Sequence, residues 1–255
     1  METINVCGTT LDVRRKGSGR PLVYLHAEQF VDRTEPFLDA MSKSFQVIAP
    51  RHPGYGATPL PPDCRTVDDL AYLYLDLLDQ LDLKDVTLVG ASFGGWIALE
   101  MAVRNCSRLA SIALISSVGV KMSGREERDF ADLFFLPDSE AFPALFADAK
   151  RWAPDYASLP VSDVETLARE RQTTAFFGWK PYLHKPGLQQ WLHRVKLPTL
   201  VLWGEQDRFA TPAYGRRLAE RLPKAEFKLI PGAGHYPQIE QAGAVVRAIA
   251  AFAGK

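Results

Sequence analysis

Eight short apolar runs, most of them separated by stretches of helical periodicity, narrow what this chain can become more than any other feature. They are Thr3 to Val6, Leu11 to Arg15, Leu22 to Leu25, Phe45 to Ala49, Val86 to Val89, Leu109 to Ile115, Leu200 to Trp203 and Glu226 to Ile230. Runs with few interrupting polar residues suit strands buried on both faces, as in a parallel sheet. The first two read as an opening hairpin that turns at Gly8-Thr9-Thr10. Between the runs lie helical patterns. Val67 to Leu81 carries Leu70, Leu73, Leu77 and Leu81 at spacings of three and four, behind Thr66 as N-cap. Phe93 to Arg104 follows one run directly, and Pro212 to Leu222 opens with Thr211 as cap and proline in the first turn. Ala242 to Phe252 closes the series. Strands that alternate with helices predict an α/β chain: a mostly parallel, eight-stranded sheet flanked by helices.

The rhythm fails from 119 to 195, which is charged, aromatic and without a convincing buried strand. A stretch of this length is too long for a bare loop in a compact domain. The expectation is a helical lid insert over 119–195, set into a core domain made of 1–118 and 196–255. Most of its aromatics are expected simply to pack it against the body.

Composition removes several alternatives. A chain of 255 residues that is 47% hydrophobic has material for one large core. Thirty basic and thirty acidic residues cancel, which gives no support for nucleic acid or an anionic membrane as partner. Cys7, Cys64 and Cys106 are odd in number and unpaired in spacing, so they read as reduced thiols rather than a disulfide framework or zinc cluster. Met1 to Thr10 lacks the pattern of a secretory signal. No apolar run approaches the ~18 residues that a membrane span needs. These features predict a soluble, cytoplasmic globular protein. They do not assign an oligomeric state.

The chemistry is concentrated at Gly90-Ala91-Ser92-Phe93-Gly94. A Gly-x-Ser-x-Gly string alone is weak, since chance supplies it in roughly one chain of this length in ten. Its context is specific: Thr87 to Val89 is a strand and Trp96 to Ala102 a helix, with Ser92 at the apex between them. Such an apex forces a strained backbone that exposes the hydroxyl, and the helix N-terminus below it offers free N–H groups and a positive dipole end. The bland alternative is that Ser92 merely caps the helix.

A serine hydroxyl needs a base. Of five histidines, His235 stands in a glycine-rich loop after the last apolar run, Gly232-Ala233-Gly234-His235-Tyr236. His26 follows an earlier strand, His52 lies in a turn cluster, and His184 and His193 lie in the expected lid. The imidazole needs a carboxylate to fix its tautomer. Asp207, in Gly204-Glu205-Gln206-Asp207 after a strand, is best placed, with Glu205 as second candidate. The oxyanion donors are expected to be the backbone N–H groups of Phe93 and Glu28, with the Glu28 carboxylate lining the entrance or facing water. His26, Trp96, Phe134, Phe177 and Tyr236 are candidates for the pocket wall.

With these sites in place the chain resembles the α/β-hydrolase superfamily along nearly its whole length. The matching pieces are Leu25-His26-Ala27-Glu28, Arg51-His52-Pro53-Gly54-Tyr55-Gly56, Gly90 to Gly95, Leu202 to Asp207 and Gly232 to His235. The resemblance implies a Ser-Asp-His triad of Ser92, Asp207 and His235, with no metal or cofactor required. It departs at Ala27, where the superfamily usually has glycine; a negative φ there would leave the loop unstrained. The expected activity is cleavage of small apolar or aromatic carboxylic esters through an acyl-enzyme. The rival activity is hydrolysis of a carbon–carbon bond in a diketo-acid ring-fission product, since Ser-Phe-Gly-Gly also looks like that elbow. Such an enzyme needs a cation near the pocket, with Arg125, Arg128, Lys150 and Arg151 as candidates. A third possibility is a hydrolase-fold binding protein with little turnover.

Overall fold

The computed structural model describes residues 1–254. All eight apolar runs are strands of one sheet. The chain opens with β1 (Glu2–Val6), β2 (Thr9–Lys16) and β3 (Pro21–Leu25), then α1 (Glu35–Met41), β4 (Gln46–Pro50) and α2 (Val67–Gln80). It continues through β5 (Val86–Ala91), α3 (Phe93–Arg104) and β6 (Leu109–Ile115). The order across the sheet is β1-β2-β4-β3-β5-β6, completed by β9 (Thr199–Gly204) and β10 (Ala225–Ile230). The pairs β1–β2 and β2–β4 are antiparallel, and every other pair is parallel. β5 and β9 are buried at every residue, which is why they read as apolar runs. Among the described residues no helix is long and apolar enough to cross a membrane.

Local chemistry explains most boundaries. Thr66 caps α2 as expected: its hydroxyl accepts the Asp69 N–H at 3.3 Å, and the Asp69 carboxylate accepts the Thr66 N–H at 2.8 Å. The first hairpin turns one residue earlier than expected, at Cys7 and Gly8, both with positive φ (48° and 87°). Two left-handed residues match the twist of the flanking strands. Thr211 occupies the N-cap position before α8 (Pro212–Arg221), yet its side chain makes no capping bond.

Between β6 and β9 the chain leaves the sheet. This stretch holds β7 (Gly119–Val120), α4 (Asp138–Leu145), α5 (Ala149–Trp152), α6 (Val161–Gly178), β8 (His184–Lys185) and α7 (Leu188–Trp191). The expectation of no strand is corrected at one point: β7 and β8 pair in parallel. Each has two residues, too short to leave a periodic signal. Lys185 in β8 bridges Asp68 of α2 (2.5 Å) and the buried Glu100 of α3 (3.4 Å), fastening the return of the stretch to the body. Two short helices were not expected: α1, and α9 (Pro237–Glu240) just after the last strand. The chain ends in α10 (Ala242–Ala253), which packs on α1.

Candidate active site

Four loops converge at the carboxyl ends of parallel strands, where a ligand crevice forms in sheets of this type. They follow β3, β5, β9 and β10, and each supplies one part of the site.

The β5–α3 turn presents Ser92. Its backbone is strained, with φ 45° and ψ −108°. The strain persists because the neighbours admit no side chain. A Cβ on Gly90 would sit 2.4 Å from the Gly94 carbonyl oxygen, and one on Gly94 would sit 2.1 Å from that of Leu25. Ser92 occupies the N-cap position of α3 but makes no capping bond. Its hydroxyl instead meets His235 Nε2 at 2.7 Å. Helix capping therefore does not account for this serine.

His235 stands in the loop after β10. Its N–H donates to the Leu145 carbonyl at the end of α4, and the Phe209 ring lies edge-on to the imidazole at 4.5 Å. Its Nδ1 lies 2.8 Å from Asp207 Oδ2. The other Asp207 oxygen accepts the N–H groups of Phe209 and Ala210 at 3.0 and 2.9 Å. All three side chains are buried. Burial works against the imidazolium, but the Asp207 carboxylate outweighs it, so the His235 pKa lies above its ordinary 6.5. Burial pushes the Asp207 carboxyl up, opposed by His235 and by the two N–H groups. Glu205, the second candidate, is exposed, and its N–H closes the turn onto the Ile230 carbonyl.

The remaining histidines have other occupations. His26 and His52 are buried with their rings in tilted contact, centroids 3.7 Å apart. His26 Nε2 accepts the His52 N–H at 2.9 Å, and His52 Nδ1 meets the Tyr74 hydroxyl at 2.5 Å. Burial lowers the pKa of both, that of His52 to about 3. The pair pins the β3 and β4 loops as neutral rings, and this is where the structure places His26. His193 is exposed and His184 half-buried. Trp96 also has a different place: its indole N–H donates to Glu100 at 3.2 Å, and its ring meets Phe93 edge-on. Phe134 packs on Trp179 and Tyr182 within the 119–195 stretch. Phe177 reaches the elbow, 6.0 Å from the Phe93 ring, and Tyr236 adjoins His235 at 5.1 Å.

The β3 loop departs most from expectation. Ala27 does not have a positive φ; the left-handed residue of this loop is Phe30, at 59°. The Glu28 side chain neither lines an entrance nor faces water. It is buried, with one carboxylate oxygen accepting the Phe93 N–H at 3.4 Å and the other accepting the Tyr236 hydroxyl at 2.5 Å. The signal for this was absent from the sequence around Glu28, because both partners lie far along the chain.

Helix α6 covers the loops with a polar face. Thr173 donates to the Gly54 carbonyl (2.8 Å) and Thr174 to that of Glu28 (3.1 Å), and the Glu170 carboxylate accepts the Phe30 N–H (2.9 Å). Burial lifts the Glu170 pKa to about 8. Ser92 is only 1% exposed.

Comparisons with known proteins agree with this architecture. A family model described as the alpha/beta hydrolase family matches residues 19–248. A poly(3-hydroxyalkanoate) depolymerase from Ectopseudomonas oleovorans is 28% identical, with 85% of this chain aligned to 78% of that protein. A 2-hydroxymuconate semialdehyde hydrolase from Pseudomonas sp. (strain CF600) is also 28% identical, over 94% of this chain and 88% of its own. Among solved structures, the enol-lactonase from Burkholderia xenovorans LB400 superposes with a TM-score of 0.79 at 23% identity, covering 100% of both chains. That likeness concerns the fold.

Proposed function

The chain belongs to the alpha/beta hydrolase family, and on that premise we propose that it is a serine hydrolase of small carboxylic esters with apolar or aromatic groups. One observation carries the reading: a continuous relay from Ser92 Oγ to His235 Nε2 (2.7 Å) and from His235 Nδ1 to Asp207 (2.8 Å). Ser92 attacks the ester carbonyl while its proton passes to His235. The carbonyl electron pair moves onto oxygen, opposite the N–H groups of Phe93 and Glu28. As the carbonyl reforms, the bond to the alcohol breaks and the leaving oxygen takes the proton from His235. Water then attacks the acyl-enzyme, gives a proton to His235, and Ser92 departs with it. Residues 119–195 act as the lid, and Phe177 and Tyr236 line the acyl pocket.

The depolymerase relative supports the ester side of this reading. The semialdehyde hydrolase relative keeps carbon–carbon hydrolysis as the alternative. Against that alternative, Arg125, Arg128, Lys150 and Arg151 are all exposed, and the charged group that touches the elbow is the acid Glu28. Steady-state assays on chromogenic short-chain esters and on a dienone diketo-acid test the choice. Repeated ester turnover with Ser92 labelled by a phosphonate supports it. Diketo-acid cleavage without ester turnover would replace it by the alternative, and a single burst without cycling would indicate a binding protein.

A further inference from the structure

The geometry points to the Tyr236 hydroxyl as an oxyanion donor that works beside the Phe93 N–H, with the Glu28 carboxylate as the internal ligand that occupies both at rest. This inference rests on the proposed acyl transfer at Ser92 and names a side chain that the reaction uses.

Three observations converge. The Glu28 carboxylate bridges two donors, the Phe93 N–H (3.4 Å) and the Tyr236 hydroxyl (2.5 Å). Phe93 follows the nucleophile, so its N–H faces the space where an attacked carbonyl oxygen must sit. The same Glu28 oxygen that accepts from Tyr236 lies 3.9 Å from His235 Nε2, which places this bridge beside the group that shuttles the proton. A carboxylate held by two donors next to a nucleophilic serine resembles, in charge and in shape, the acid that ester cleavage releases. The cradle is thus an anion site, and its occupant belongs to the protein.

Both cannot be filled at once. A developing oxyanion placed beside the Glu28 carboxylate would be opposed by its charge, so the carboxylate must leave the two donors as the carbonyl oxygen enters. The exit is coupled to α6. The Glu28 carbonyl accepts from Thr174, and the Phe30 N–H donates to Glu170, so the β3 loop is fastened to the helix that covers Ser92. Movement of α6 would free the loop and uncover the nucleophile together. Tyr236 stays behind, because it follows His235 directly and its ring packs against Phe146.

The test uses purified full-length protein, a soluble chromogenic ester and sodium acetate as the probe anion. Tyr236→Phe keeps the ring and removes the donor; kcat should fall about a hundredfold with KM little changed. Glu28→Ala empties the cradle; acetate should then inhibit about tenfold more strongly than it inhibits the unaltered protein. The double variant should lose that added sensitivity, since acetate would find only backbone N–H groups and no phenol. Phosphonate labelling of Ser92 and unchanged melting temperatures keep the variants comparable. A kcat within about twofold in Tyr236→Phe, or equal acetate inhibition with and without Glu28, would overturn the assignment. So would a larger loss of kcat in Glu28→Ala than in Tyr236→Phe, because the carboxyl would then be the group that the reaction uses. If the unaltered protein neither turns over esters nor labels at Ser92, the ester reading fails first, and the two failures are told apart.

Discussion

Helices α2 and α6 are both long and both cover the sheet or its loops, yet they are attached by different physics. α2 buries Val67, Leu70, Ala71, Leu73, Tyr74, Leu77 and Leu78. α6 buries Glu170, Thr173, Thr174, Phe177 and Gly178. The first attachment is apolar burial, worth about 1.5–3 kcal/mol for each large side chain. The second is largely hydrogen bonds to loop carbonyls and N–H groups, which water can replace at about 1 kcal/mol each. The difference teaches which element can move. Displacing α2 would open the core, whereas displacing α6 exchanges polar contacts for water.

Experiments can break or sharpen that contrast. The largest effect belongs to the rigid side of the site. Ser92→Ala should lower kcat by about 10⁴-fold or more while leaving the thermal melt unchanged, with His235→Ala comparable, since these groups act as a unit. Residual turnover above a few per cent would disprove the nucleophile assignment. Asp207→Asn should cost somewhat less, about 10³- to 10⁴-fold. It also carries a pH signature. The reaction needs neutral His235, so activity rises with pH through a limb that lies above 6.5 because Asp207 holds the proton on the ring. Removing that charge leaves burial to dominate, and the limb should move to lower pH in a pH–rate profile.

Leu77→Ala in α2 should destabilise the fold by about 2–5 kcal/mol in urea titrations. Thr174→Val in α6 should cost no more than about 1–2 kcal/mol. It should also raise the rate of phosphonate labelling at Ser92 several-fold. If the two variants changed stability equally and labelling not at all, the contrast between the helices would collapse. A pH-dependent effect belongs to Glu170, whose folded pKa is raised to about 8 from 4.5. Between those values the folded state binds more protons than the unfolded one. Stability contributed by this carboxyl is therefore present at low pH and lost as pH rises toward 8. Glu170→Gln should remove that slope, visible as a melting temperature that no longer falls over this range relative to the unaltered protein.

Much of the frame was legible because its signals are local. Thr66 and Asp69 announce the start of α2 three residues apart, and Gly90 and Gly94 bracket Ser92 within one turn. Short elements escaped: β7, β8 and α9 span too few residues to show a period. The Cys7-Gly8 turn escaped because cysteine, unlike asparagine or glycine, does not mark a left-handed position. Thr211 stands where a cap belongs and does not cap, since position does not compel a hydroxyl to bond. The polar buried face of α6 gave no apolar stripe, so its contacts with Gly54, Glu28 and Phe30 could not be read from its own pattern.

The sequence by itself determined the elbow, the order Ser92, Asp207, His235 and the run of buried strands, because each rests on neighbours within a few residues or on the period of one element. Tertiary structure alone decided what Glu28 does. Its two partners, Phe93 and Tyr236, lie 65 and 208 positions away, and only the folding of β3, β5 and β10 into one sheet brings a carboxylate, an amide and a phenol to one point. Burial then gives that meeting its force, since a charge removed from water must find its hydrogen bonds within the protein.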